Sequence, residues 1–239
     1  MIEYLSDYII KFCQKQEYVD DILSGRIFMN ELSVFNKIDD SFRGDEYDGM
    51  RVIKMSPNTV AKIEWRGEAL TLPIDILSQS HVGINKIPVF NACLLNEKNL
   101  QRVTDSTFKF CPIFIKHMEQ FGEHVVLLSK SEFAKKMETY VIDNNMYMHN
   151  GNIKYVDIET PPPKADTWED SIREYVFVKT LSEHRNYDLQ NEWRLAITYP
   201  QIIPECKSFY VADIGKLQYA LQLPLQAIKE GVLRGEANP

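Results

Sequence analysis

Two side chains, an amide and a carboxylate, stand near the start of a segment late in the chain. Side chains of these types can act on a carbon atom of a sugar. Gln190 and Glu192 belong to QNEWRLAI, whose alternating apolar residues predict a strand. Side chains alternate along a strand, so Gln190 and Glu192 are expected on one face and Asn191 on the other. The carboxylate can stabilise an oxocarbenium ion or accept a bond from a ribose hydroxyl, and the amide can position a nucleophile. The structural alternative is an edge-strand Glu192 paired with Arg194.

Arg26 is the second candidate, because it stands at the head of a predicted strand, RIFM, directly after Gly25. An arginine in such a place can hold a phosphate through two parallel hydrogen bonds, which a lysine does less well. An ordinary arginine at a sheet edge is the alternative. Residues 91–96 form a third candidate on a middle strand, although burial in a sheet explains each apolar member of that segment.

The elements that must position these residues follow from the hydrophobic pattern. IPVFNACLL, residues 87–95, is a continuous apolar run and predicts a central strand buried on both faces. Residues 51–77 alternate and predict antiparallel hairpins. Residues 4–23 have apolar side chains three and four apart, which predicts one or two amphipathic helices ending at Gly25.

Further along the chain, residues 125–128 predict a strand, and Ser131 is expected to cap the helix that follows. Asn150-Gly151 predicts a hairpin turn. The tail from residue 214 predicts one more helix or an irregular segment. We therefore expect a single α+β domain over residues 1–239, built around a mixed, mostly antiparallel sheet with an N-terminal helical segment. A proline-rich spacer at 161–163 lies inside it.

Composition restricts the classes of protein further. The 239 residues are 44% hydrophobic, which is enough for a core that needs no metal or disulfide. The 27 basic and 34 acidic residues give a net charge of −7, which argues against a protein that coats nucleic acid. The N-terminus carries acids where a signal peptide has bases, and no apolar run reaches the roughly 20 residues of a membrane span. We expect a cytoplasmic protein with no membrane partner.

Several standard signatures are missing from the sequence. It contains no Walker loop, no Gly-x-Gly-x-x-Gly, no His-Glu-x-x-His and no Gly-x-Ser-x-Gly. The four cysteines are far apart, so their spacing predicts neither a zinc site nor a disulfide framework. No metal is expected on these grounds.

The segment from residue 39 to residue 48 is strongly acidic, with Arg43 as its single base. Its acids are Asp39, Asp40, Asp45, Glu46 and Asp48. A hydrated loop is one explanation, and a divalent-cation site is another, which would make a metal-dependent nuclease built on Asp39, Asp45 and Glu46. The third is a docking surface for a basic partner, which would make the protein a non-enzymatic inhibitor.

Taken together, the order of an N-terminal helix, Arg26 on the first strand, a middle strand and a late Gln-x-Glu segment resembles the ADP-ribosyltransferase fold. The resemblance implies that Arg26 holds the diphosphate of NAD and that Phe35 or Tyr47 stacks on nicotinamide. It further implies that Gln190 orients the acceptor, a protein or nucleic acid, and that Glu192 stabilises the cationic ribose. NAD would then be a substrate.

Two segments also resemble a set of uncharacterised small proteins of bacteria and their phages. They are FGEHVVLLSKSEFAKKM, residues 121–137, and EWRLAI, residues 192–197. This similarity carries no activity but suggests a role in conflict between phage and host, in the cytoplasm of a bacterial or phage-infected cell. The leading hypothesis is therefore an ADP-ribosyltransferase-like protein, and the alternative is a non-enzymatic binding protein that acts on a target protein through an acidic surface.

Overall fold

The computed structural model describes residues 5–37, 47–160, 164–181, 187–199 and 209–234. Within them the strands are β1 (Tyr8–Cys13), β2 (Arg26–Glu31), β3 (Arg51–Lys54), β4 (Val60–Trp65), β5 (Glu68–Pro73), β6 (Ile76–Gln79), β7 (Pro88–Leu94), β8 (Leu100–Thr104), β9 (Thr107–Phe110), β10 (His124–Ser129), β11 (Tyr147–Asn152), β12 (Lys154–Asp157), β13 (Val178–Leu181), β14 (Glu192–Thr198), β15 (Phe209–Asp213), β16 (Ala220–Pro224) and β17 (Leu233–Arg234). The helices are α1 (Gln16–Ser24), α2 (Leu32–Phe35), α3 (Pro112–Met118), α4 (Lys130–Asp143), α5 (Trp168–Tyr175) and α6 (Leu225–Glu230).

An eight-stranded sheet organises the molecule, with the order β11-β14-β7-β1-β10-β16 and with β2 and β15 attached as a branch. Every strand pair in this sheet is antiparallel. The remaining described strands form smaller sheets, of which β12–β13 is parallel. The predicted α+β fold with a mostly antiparallel sheet is confirmed.

The central strand β7 has one continuous edge and one divided edge. Along its continuous edge it pairs with β14 from Val89 to Cys93. Along the other edge β1 pairs with its end, at Cys93 and Leu94, whereas β2 pairs with its beginning, at Pro88 and Val89. The sheet therefore splits beside residues 90–92, and β1 and β2 diverge from a shared strand.

Apolar side chains cover both faces of the sheet, as expected for a strand buried on two sides. On one face the sheet packs against α4, in a cluster that includes Ile9, Phe90, Phe133, Met137 and Trp193. On the other face it packs against α3, in a cluster that includes Ile10, Phe12, Cys93, Phe108 and Phe114. Alternation along β1 places consecutive isoleucines in different clusters.

The predicted N-terminal helices are partly wrong. Residues 8–13 form strand β1, which lies between β7 and β10, and residues 16–24 form helix α1. An interior strand needs apolar side chains on both faces, and over six residues such a run also satisfies a helical spacing. Gly25 does end α1, with a left-handed φ of +89°, and the strand predicted from Arg26 is confirmed as β2.

Other local predictions also differ from the structure. Asn150-Gly151 does not turn, because β11 runs through it and pairs with β14 along its whole length. Ser129 accepts the capping bond of α4, in place of Ser131. The tail forms both a strand, β16, and a helix, α6. The spacer at 161–163 lies outside the described residues.

No helix in the part of the chain that the structure describes is long and apolar enough to cross a bilayer.

We predict that Gly25→Ala destabilises the fold by about 3 kcal/mol or more. A residue with a side chain costs about 1–2 kcal/mol in the left-handed backbone conformation, and overpacking adds to this. A Cβ at Gly25 would collide with the main-chain carbonyl of Gly215. Gly215→Ala is the matched control, since Gly215 has a φ of +71° and open space around it. Denaturant unfolding measures both, and equal losses would contradict the collision.

Candidate functional site

The split in the sheet opens onto two adjoining cavities. The inner cavity, of about 170 Å³, is lined mainly by β1, β2 and β7 and includes Phe35, Lys179, Gln190 and Glu192. The outer cavity, of about 180 Å³, is lined by β1, α1 and the start of β2, including Arg26. Their common walls are Lys11, Phe12, Phe28, Phe90 and Phe121. The two cavities therefore meet along one mainly aromatic wall.

Lys11 bridges the split. Its Nζ donates to the main-chain carbonyl of Asn91 over 2.7 Å and lies 4.6 Å from the centroid of the Phe90 ring. Asn91 faces the divided edge of β7, where no described strand pairs with it. The ammonium group thus satisfies an acceptor that the sheet leaves open and brings a positive charge to the junction of the cavities.

Behind the inner cavity lies a buried charge cluster, which we define as Asp48, Lys179, Glu192 and Arg194. Arg194 is fully buried and holds Asp48 through two parallel bonds of 2.8 and 2.9 Å. It also donates to Oε1 of Glu192 from two nitrogens, at 3.0 and 2.8 Å. Further bonds reach the Val176 carbonyl at 2.7 Å and the Asn91 side chain at 3.1 Å.

Lys179 completes the charge cluster from strand β13. Its Nζ lies 2.8 Å from Oε2 of Glu192 and 3.6 Å from Asp48. Both oxygens of Glu192 are therefore engaged by cations. Two acids and two bases give the cluster no net formal charge, which is what allows so many ionised groups to remain buried together.

The protonation states follow from this arrangement. Burial alone would raise the pKa of Glu192, but Arg194 and Lys179 outweigh it and hold the pKa below its ordinary value. The pKa of Asp48 is lowered against burial by the same two cations. Glu192 is consequently ionised at neutral pH, so it can act as a negative charge or an acceptor but not as a general acid.

Cys93 and Tyr155 are the two titratable neighbours of Glu192 considered as nucleophiles. Cys93 stands opposite Glu192 in the ladder, and its pKa is raised first by burial and then by that carboxylate. Tyr155, whose hydroxyl accepts from the Glu192 amide at 3.3 Å, has its pKa raised for the same two reasons. Both groups stay protonated at neutral pH, so neither is an activated nucleophile.

The sequence candidates divide between the two cavities. Gln190, Glu192 and Phe35 line the inner cavity, and Arg26 lines the outer one. Tyr47 lines neither of them as the structure describes them. The alternation argument does not account for the shared face, because Gln190 ends a 3₁₀ turn.

The structural alternative for Glu192 is half correct. Glu192 does pair with Arg194, but strand β14 lies between β7 and β11 and is not an edge. Asn191, just before the strand, has a left-handed φ of +44°. Its side chain donates to the Leu94 carbonyl at 2.7 Å, which fixes the approach of Glu192 to the inner cavity.

The acidic segment can be followed only at its end. Asp39, Asp40, Asp45 and Glu46 lie outside the described residues. Asp48 is 1% exposed, so it is part of the charge cluster and not of an acidic surface. Among the described residues, no group of three or more His, Cys, Asp or Glu is placed to hold a metal ion.

Sequence reasoning missed Asp48 and Lys179 as members of the site. Asp48 is 146 residues from Arg194 along the chain, and Lys179 lies in a short strand whose sequence does not mark it as a site residue. A usable signal was present in RGDEYDGM, where Asp48 is followed by Gly49 and then by an apolar residue. A glycine and an apolar residue directly after Asp48 favour a chain that turns back into the core over a solvated acidic loop.

We predict that Arg194→Met destabilises the protein by about 3–5 kcal/mol at pH 7, because two buried carboxylates lose their main partner. Without Arg194, burial dominates and raises the pKa values of Asp48 and Glu192. A raised folded-state pKa means that stability is lost as pH rises, so the deficit should shrink as pH falls from 7 towards 5.

The control is Arg102→Met, which removes an exposed ion pair with Asp105. Its effect should stay under about 1 kcal/mol at both pH values. Urea unfolding at the two pH values measures both variants. A deficit for Arg194→Met that is constant or grows on acidification would contradict the assignment of these charges.

Comparison with known proteins leaves the site to be interpreted from its own geometry. No protein-family model, no curated protein and no solved structure matches the chain. The two cavities, Lys11 at their junction and the charge cluster behind them are therefore the observations from which we argue function.

Proposed function

We propose that the protein is an ADP-ribosyltransferase-like enzyme that binds NAD in the joined cavities and transfers ADP-ribose to a protein or nucleic acid. One observation carries the proposal. Glu192, Gln190 and Phe35 line the inner cavity, Arg26 lines the outer cavity, and the two cavities share five wall residues. The residues expected to act on the nicotinamide ribose and on the diphosphate thus line two adjoining cavities with a common wall.

The size and lining of this space suit part of a dinucleotide. The cavities of about 170 and 180 Å³ together reach the lower end of the roughly 300–1,000 Å³ typical of small-molecule sites. Aromatic walls with a few convergent polar groups are also typical of such sites. Phe35 would stack on nicotinamide in the inner cavity, while Arg26 and Lys11 would attract the diphosphate.

The reaction that we propose breaks the bond between ribose C1′ and the nicotinamide nitrogen. The bonding electrons leave with nicotinamide, and positive charge develops on the ribose. Ionised Glu192 stabilises that charge or accepts a bond from a ribose hydroxyl. A nucleophile of the acceptor then bonds to C1′ and gives up its proton to solvent, while Gln190 orients the acceptor.

A second function is favoured by one specific observation. Lys179 and Arg194 already engage both oxygens of Glu192, which weakens the field that this carboxylate can exert on a ligand. A site of this kind can bind a dinucleotide without cleaving it. The protein would then be a non-enzymatic binding protein, and in either case we propose a role in conflict between phage and host.

We predict that Glu192→Gln lowers nicotinamide release from NAD on the order of a hundredfold or more, because it removes a charge that acts as positive charge develops. Binding of NAD should change far less than turnover. Release is measured by chromatography and binding by calorimetry, at a temperature where unfolding curves show both forms to be folded. Binding without release in the parent would favour the second function, and equal release by both forms would remove Glu192 from the mechanism.

We predict that Arg26→Lys weakens NAD binding about tenfold with little change in stability, because lysine keeps the charge but loses the planar fork. The Arg26 side chain is 63% exposed and lies 3.7 Å from Asp21, so few contacts restrain it in the free protein. Arg173→Lys is the control, since that arginine is also exposed and lies near Asp170. Calorimetric titration with NAD decides, and unchanged affinity would count against a phosphate clamp.

A further inference from the structure

The hairpin of β4 and β5 stands apart from the main sheet. In the described part of the chain these two strands pair only with each other. Leu70 and Leu72, two residues apart on one face of β5, are 55% and 42% exposed. A two-stranded hairpin alone is marginally stable in water, and three or more strands are usually needed. The hairpin therefore presents an apolar face and an open edge without the support that such strands normally have.

The turn of the hairpin fixes which groups face the open edge of β4. Arg66 and Gly67 have φ values of +51° and +85°, as in a two-residue type I′ turn. Such a turn makes Trp65 and Glu68 a hydrogen-bonded pair, and hydrogen-bonded pairs then recur at every second residue along the two strands. The bond from the Ile74 amide to the Thr59 carbonyl fits this alternation. Odd-numbered residues of β4 therefore bond to β5.

Even-numbered residues of β4 consequently turn their main-chain groups away from the hairpin. The N–H and C=O groups of Val60, Lys62 and Glu64 point along the open edge, ready to pair with another strand. Val60, Lys62 and Glu64 are also exposed as residues. On the opposite edge of the hairpin, Pro73 has no N–H to donate, so the edge of β4 is the better template.

We propose that this edge binds a second copy of the chain, with two β4 strands pairing antiparallel about a two-fold axis at Ile63. In that register Lys62 faces Glu64 of the partner subunit, and Glu64 faces Lys62 of the partner subunit. Both pairs fall on hydrogen-bonded positions, so the outward main-chain groups are satisfied as well. Opposite charges directly across an antiparallel pair stabilise it.

Charge complementarity selects a second copy over other occupants. The sequence Lys62-Ile63-Glu64 places opposite charges symmetrically about one residue, so the edge complements itself when it is rotated by the two-fold axis. An edge that bound a strand of one charge would carry the opposite charge at both positions. The result is a continuous four-stranded sheet shared by two subunits, with Leu70 and Leu72 of both on one surface.

The charge reversals Lys62→Glu and Glu64→Lys test the proposal. The parent should sediment at twice its 27.9 kDa monomer mass at high concentration. Each single reversal places two like-charged pairs across the interface and should raise the dimer dissociation constant at least about tenfold. An equimolar mixture of the two variants places opposite charges across both pairs, so it should form heterodimers at the affinity of the parent.

Further variants separate pairing along the β4 edge from loss of the fold and from a change of charge elsewhere on the surface. Glu64→Pro removes an outward N–H but no bond to β5, so it should leave the melting temperature nearly unchanged and abolish the dimer. Glu97→Lys and Lys98→Glu make the same charge changes in an exposed turn and should leave the dimer intact. A monomeric parent, a dimer that survives both reversals at β4, or a mixture that fails to associate would each overturn the proposal.

Discussion

Burial of Arg194 is the constraint on which the site depends. A guanidinium without solvent must find acceptors for its N–H groups, because an unpaired buried charge costs several kcal/mol. Arg194 finds them on the segment containing Asp48, on β7 at Asn91, on its own strand at Glu192 and at the Val176 carbonyl. One side chain therefore ties four distant parts of the chain together, and Glu192 cannot move without disturbing all of them.

The divided edge of β7 is the second constraint, and it creates the space that Glu192 faces. A strand that paired fully with one neighbour would leave no gap, whereas β1 and β2 each take one end of β7. The main-chain groups between them would be left open, and Lys11 compensates at Asn91. Cavity and cation thus arise from the same feature of the topology, since the position that lacks a strand partner is the one that receives the ammonium group.

Local patterns predicted much of the fold but little of the site. The apolar run of residues 87–95 identified the central strand because burial on both faces leaves a continuous signal, and Gly25 marked the end of α1. The hairpin expected at Asn150-Gly151 did not form, because pairing with β14 along the whole of β11 outweighs a local turn preference. Asp48 was missed because its partner Arg194 lies 146 residues away along the chain. Lys179 was missed because nothing in the sequence of its short strand marks a buried lysine. The sequence did suggest that Gln190 and Glu192 face one space. It did so through the alternation of side chains along a strand, which the 3₁₀ turn at Gln190 does not follow.

Neutrality of the charge cluster bears directly on what Glu192 can do to a ligand. At a distance the charges of Asp48, Lys179, Glu192 and Arg194 cancel, but of these only Glu192 and Lys179 line the inner cavity. A ligand there meets a carboxylate and an ammonium held 2.8 Å apart, with Lys11 and Arg26 further along the wall. In the complex that we propose, the positive nicotinamide ring of NAD would lie near Glu192, and its negative diphosphate would lie near Lys11 and Arg26. In the proposed reaction, Arg194 would hold the carboxylate in place before the ligand arrives, so Glu192 would need no reorganisation as charge develops. This preorganisation would offset part of the field that its two cations remove.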